Sequence, residues 1–147
     1  MADLKKELVE MLNKALELEH AARIQYLAHA QLVEGINAEK IVERLEEIAS
    51  DEDKHEKKFR NLIGAYLGGE PSMGISETRT ARKIEDILQA NLEQEKEAID
   101  FYKGIYRKVN ENKDSLHYEF ETLEHDLRHI IIDEEEHVIE LSLLLGL

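Results

Sequence analysis

Residues 68–76 read Gly68-Gly69-Glu70-Pro71-Ser72-Met73-Gly74-Ile75-Ser76, and this stretch decides how the chain is wired. It holds the only proline and three of the seven glycines of a 147-residue sequence, so regular structure must stop here for longer than a turn. On either side, apolar residues recur at steps of three and four. That spacing predicts four helices, at about residues 4–33, 38–67, 81–110 and 114–145. The first two are separated by a short turn around Gly35, with Asn37 placed to cap the second helix. The last two are joined by Glu111-Asn112-Lys113. Short turns make antiparallel hairpins. The 13 residues from Gly68 to Thr80 can instead run about 40 Å at about 3.3 Å each, the length of a helix of about 30 residues. The predicted fold is all-α: a single four-helix domain over residues 1–147, built from two antiparallel hairpins joined by one long crossover.

Composition agrees and narrows the partners. Hydrophobic residues make up 42% and charged residues 35%, with few aromatics, as expected for long amphipathic helices. The net charge of -14 repels nucleic acid and anionic membrane surfaces and attracts cations. With no cysteine there is no disulfide and no thiolate ligand, so a metal would have to be held by oxygen and nitrogen. Residues 1–10 carry charges throughout, and no run approaches the roughly 18 apolar residues of a membrane span. The expectation is a soluble, cytoplasmic protein with no membrane partner.

Each helix carries a polar interruption on its apolar face. The second helix reads Ile41, Leu45, Ile48, Glu52, His55, Phe59, Leu62 and Tyr66 along that face. The first gives Leu8, Leu12, Ala15, Glu19, Ala22, Tyr26 and Val33. The third gives Leu88, Leu92, Glu95, Ile99, Tyr102 and Val109, and the fourth Leu123, Leu127, Ile130, Glu134, His137, Leu141 and Leu144. Four glutamates and two histidines thus converge on one level. Buried carboxylates facing one another are costly unless positive charge compensates them, and two divalent cations would balance four negative charges. The candidate ligands are Glu19, Glu52, His55, Glu95, Glu134 and His137.

Spacing alone is weak evidence. With 25 glutamates and seven histidines, about one Glu-x-x-His is expected by chance, and three occur. The copy at Glu17 and His20 lies about 200° around the helix from the Glu19 face and should point to solvent. The other two are each preceded by aspartate, as Asp51-Glu52-x-x-His55 and Asp133-Glu134-x-x-His137. An aspartate beside a metal-bound imidazole can accept its other N–H, so Asp51 and Asp133 are candidate orienting groups, each able to serve the histidine of the opposite helix. Tyr26, two turns from Glu19, suits either core packing or hydrogen-bond or electron donation to the site. His29, His125 and His129 lie off the stripe or at its edge and read as ordinary.

The same residues resemble a known family. The first helix, Leu12-Asn13-Lys14-Ala15-Leu16-Glu17-Leu18-Glu19 with Gln25-Tyr26 and His29, is similar to that of bacterioferritins in the ferritin-like di-iron superfamily, and the likeness spans nearly the whole chain. The resemblance implies two iron ions, with Glu19 and Glu95 as terminal carboxylates, Glu52 and Glu134 as bridging ones, and His55 and His137 as nitrogen ligands. It also implies a homo-oligomer and a ferroxidase that oxidises Fe(II) with O2 or H2O2 in iron storage or detoxification. Manganese accepts the same ligands. The haem-binding methionine of bacterioferritins is replaced here by Asp53, and only ten residues follow His137, so neither haem nor the family's fifth helix is expected. Rubrerythrins lack that fifth helix and imply an alternative, a peroxidase reducing hydrogen peroxide with an external redox partner. Their additional third-helix glutamate is Ala98 here. A third alternative is an interaction bundle docking through residues 143–147.

Overall fold

A computed structural model describes residues 2–146. Four helices dominate it: α1, Ala2–Ala30; α2, Ala38–Asn61, extended by a π-helical turn at Leu62–Tyr66; α3, Ile84–Glu111; and α4, Phe120–Leu145. No strand occurs among the described residues. The hairpins α1–α2 and α3–α4 pack against each other, and residues 68–83 form the crossover between them.

The boundaries differ from the expected ones for local reasons. α1 stops at Ala30 rather than Val33, where Leu32 N–H turns back to the His29 carbonyl at 2.9 Å. Asn37 precedes α2, but its side chain makes no capping hydrogen bond. The crossover runs to Lys83, three residues further than expected, because Arg79 is tied into the bundle by its backbone N–H to Gln25 Oε1 and its guanidinium to the Ala90 carbonyl. α4 begins at Phe120 rather than Asp114. A 3-10 turn at Lys113–Ser115 first turns the chain so that Leu116, fully buried, enters the end of the core. The π turn puts one extra residue into the last turn of α2, which leaves Tyr66 half-buried and buries Leu67. At the other end, α4 holds to Leu145, with Leu144 and Leu145 against the core and Leu143 exposed. Leu147, the last residue of the expected tail, lies outside the described residues.

The crossover is laid along α1. Asn13 bonds the Glu70 carbonyl and the Ser72 N–H, Ser72 Oγ donates to Glu17, and the Gly74 carbonyl lies 2.7 Å from His20 Nδ1. Glu17 and His20 therefore face this strap rather than open solvent. Two glycines permit its start. Gly68 turns at φ +70°, and a Cβ on Gly69 would come within 2.7 Å of Val9 Cγ1.

The apolar core is in two parts. One contains Leu8, Leu12, Phe59, Leu62, Leu123 and Leu127, the other Leu45, Ile48, Leu88, Leu92 and Leu141. Each such leucine stabilises the fold by about 1.5–3 kcal/mol through burial. The polar level lies between the two parts.

Candidate metal centre

Helical phase alone brings the six candidate ligands together. Glu19, Glu52, His55, Glu95, Glu134 and His137 all point inward from the middle of their helices, and none is more than 2% exposed. They form two overlapping groups. Glu19, Glu52, His55 and Glu134 place one donor atom each within 4.8 Å of one another, and so do Glu52, Glu95, Glu134 and His137. Glu52 and Glu134 belong to both. The imidazole centroids stand 6.3 Å apart.

The polar partners are arranged crosswise. His55 Nε2, on α2, lies 2.8 Å from Asp133 Oδ2 on α4, and His137 Nε2, on α4, lies 2.9 Å from Asp51 Oδ2 on α2. An Nε2–H donated to each aspartate leaves Nδ1 as the inward-facing donor. The terminal glutamates are held the same way. Tyr26 on α1 donates to Glu95 Oε1 at 2.7 Å, and Tyr102 on α3 donates to Glu19 Oε1 at 3.0 Å. Burial, then the adjacent carboxylate, pushes both phenols well above their ordinary value, so they stay protonated donors.

What remains unpaired is one atom from each residue: Glu19 Oε2, Glu52 Oε1, His55 Nδ1, Glu95 Oε2, Glu134 Oε1 and His137 Nδ1. These are the only buried side-chain polar atoms without a hydrogen bond among the described residues. His55 Nδ1 stands 3.3, 3.4 and 3.2 Å from oxygens of Glu19, Glu52 and Glu134, close but not aligned for hydrogen bonding. Buried polar atoms are nearly always satisfied, so six orphans converging on one level fit a pair of cations, and the oxygen and imidazole donors suit iron or manganese.

Without cations the centre must hold protons. Burial, then repulsion from Glu134, raises Glu19, Glu52 and Glu95 above the ordinary carboxylate value. Burial would raise Glu134 too, but the imidazoles of His137 and His55, within 3.3 and 3.2 Å of its Oε1, outweigh it and hold that carboxyl low. Burial disfavours charge on the imidazoles, yet Glu19 and Asp133 raise His55, and Asp51 and Glu134 lift His137 to about 12.

Several polar residues here were not singled out from the sequence. Tyr102 had a visible signal: it follows Glu95 by seven residues, as Tyr26 follows Glu19. Gln25, Asn91 and Gln94 form a buried relay beside the centre, with Gln25 Nε2 donating to Asn91 Oδ1 at 2.9 Å and Gln94 Oε1 at 2.7 Å, and Asn91 reaching His29. Glu56, next to His55, is buried against Arg23, Arg60 and His20. Only the folded arrangement reveals these. Asp53, at the expected haem-ligand position, pairs with Lys57 on the surface of α2.

Residues 9–147 match the Ferritin family, described as a ferritin-like domain. Among curated relatives, a bacterial ferritin of Neisseria meningitidis is 32% identical over 106 residues, covering 72% of this chain and 68% of that protein. A ferritin-like, diiron-carboxylate protein of Bacillus anthracis superposes with a TM-score of 0.90 at 29% identity over 99% of both chains. A dodecameric thioferritin, the bacterioferritin-related protein of Bacteroides fragilis, superposes with a TM-score of 0.81 at 27% identity, covering 94% of this chain and 83% of that one. The chain belongs to the ferritin-like di-iron carboxylate superfamily, close to bacterioferritin.

Proposed function

We propose that this protein is a ferroxidase that takes up two ferrous ions side by side and oxidises them. The observation that carries the reading is the set of six orphaned atoms, one from each of the six residues. Glu19 and His55 would hold one ion and Glu95 and His137 the other, with Glu52 and Glu134, common to both groups, available to each. Asp51 and Asp133 orient the imidazoles, while Tyr26 and Tyr102 keep the terminal carboxylates turned inward. The apolar layers on either side exclude bulk water from the centre.

Iron is the substrate. Each ferrous ion gives up one electron, and the pair of electrons with two protons converts dioxygen to hydrogen peroxide, or hydrogen peroxide to water. The protein supplies geometry and charge balance, and its net charge of -14 concentrates cations at the surface. The bacterial ferritin relative favours iron over manganese, and the dodecameric neighbour favours a homo-oligomer that stores or detoxifies the ferric product. In the test, metal-free protein is loaded anaerobically with ferrous iron and mixed with air. Wild type should oxidise iron well above the protein-free rate and Glu52→Ala should not. Equal rates for the two would sink the assignment. Fast oxidation by peroxide alone, with only two irons retained per chain, would instead favour the peroxidase reading with an external electron donor.

A further inference from the structure

α4 carries a second pair of imidazoles that the buried centre does not use. His125 and His129 are four residues apart on one helix, with ring centroids 4.1 Å apart and planes inclined by 29°. His125 is exposed and His129 half-buried. Taking the buried side of α4 from Leu123, Leu127, Ile130 and Glu134, both rings fall on the outer flank, away from the core.

We propose that His125 and His129 form a separate surface site for borderline-soft divalent cations such as Zn2+, Ni2+ or Cu2+. Three observations support it. Histidines at i and i+4 on a helix are the spacing at which one ion takes a nitrogen from each. The two rings are direct neighbours, with centroids 4.1 Å apart, so rotation of the side chains alone, without any backbone change, can turn one nitrogen of each towards a shared ion. His125 also has an orienting carboxylate, with Nδ1 3.0 Å from Asp126 Oδ1. A proton on Nδ1 shared with Asp126 leaves Nε2 free to bind, so one ring nitrogen faces an aspartate and the other the ion, as in the buried centre but with Nδ1 and Nε2 exchanged. Glu121, exposed one turn earlier on α4, adds an oxygen donor and negative charge. Nitrogen-rich coordination selects along the series in which copper, nickel and zinc exceed ferrous iron, so the site discriminates against the substrate of the buried centre.

The test uses the untagged, metal-stripped full chain on immobilised Ni2+. A chelated ion on a resin reaches only exposed ligands, and the six residues of the buried centre are at most 2% exposed. Wild type should be retained and released by imidazole. The His125→Ala, His129→Ala double variant should wash through, and His117→Ala, lacking another exposed histidine, should be retained like wild type. In a Zn2+ titration the double variant should lose one surface ion per chain. His125→Gln alone, at an exposed position that leaves the fold intact, should weaken that ion roughly ten-fold or more. Wild type in the flow-through, retention of the double variant, loss of retention in His117→Ala, or unchanged zinc affinity in His125→Gln would each overturn the proposal. Ferrous oxidation at the buried centre is a separate readout and should be unchanged in His125→Gln.

Discussion

Replacing Asp133 with asparagine should make the two halves of the centre unequal. Asp133 Oδ2 is 2.8 Å from His55 Nε2, and asparagine keeps the shape and an acceptor oxygen while losing the charge. Removing the carboxylate behind a metal-bound histidine typically costs about 10–100-fold in affinity, or about 1.4–2.7 kcal/mol. The Asp133 side chain is 43% exposed, so solvent screens part of its charge and the lower half of that range, about 10–30-fold, is expected. Asp51 is placed equivalently, 2.9 Å from His137 Nε2 and also 43% exposed. Anaerobic calorimetry with ferrous iron should show two ions of similar affinity for wild type. Asp133→Asn should give one near-normal and one weakened ion, Asp51→Asn the same profile, and the double variant two weakened ions. The reasoning fails if Asp133→Asn leaves both affinities unchanged, or if the double variant matches either single one.

Stability of the metal-free protein should fall as pH rises from about 6.5 to 9. His137 is lifted from an ordinary 6.5 to about 12, so its contribution is complete below 6.5 and fades towards 12. Glu19, Glu52 and Glu95 are raised and act in the same direction from their unfolded value of 4.5 upward, whereas the lowered Glu134 contributes above 4.5 and is lost only in acid. A thermal midpoint flat or rising over pH 6.5–9 would contradict this balance. Tyr26→Phe removes the donor to Glu95 Oε1 and should cost about 1–3 kcal/mol in urea unfolding, with Tyr102→Phe doing the same at Glu19; a neutral effect of both would show that these bonds are dispensable. Leu12→Ala and Leu45→Ala lie in different parts of the core and should each cost about 2–5 kcal/mol. Their effects should add to within about 0.5 kcal/mol, and a larger departure would mean that the polar level does not separate the two parts.

The wiring and the level of the centre were legible because each depends on a one-dimensional pattern. The proline and glycines of residues 68–76 mark the crossover, and the 3.6-residue period puts Glu19, Glu52, Glu95 and Glu134 on inward faces. The doubled Asp-Glu-x-x-His even anticipated a bond across helices, since an aspartate preceding the glutamate lies about 100° off the core face and can reach a neighbouring helix. Helix ends were less legible. Leu116 delays α4 by entering the core, Arg79 delays α3 by binding Gln25 and Ala90, and the π turn exchanges Tyr66 for Leu67. All three depend on contacts between segments far apart in sequence. The Glu17-x-x-His20 pair shows the same limit. Its direction away from the centre follows from helical phase, but nothing local to it says that Ser72 and Gly74 would lie there.

The crosswise aspartates have a mechanical meaning. Each group of four donors takes three residues from one hairpin and one from the other: Glu19, Glu52 and His55 with Glu134, then Glu95, Glu134 and His137 with Glu52. Neither hairpin owns a complete half. Ions held there would act as reversible rivets between the halves of a cysteine-free chain, so iron supply would set the stiffness of the seam between α2 and α4.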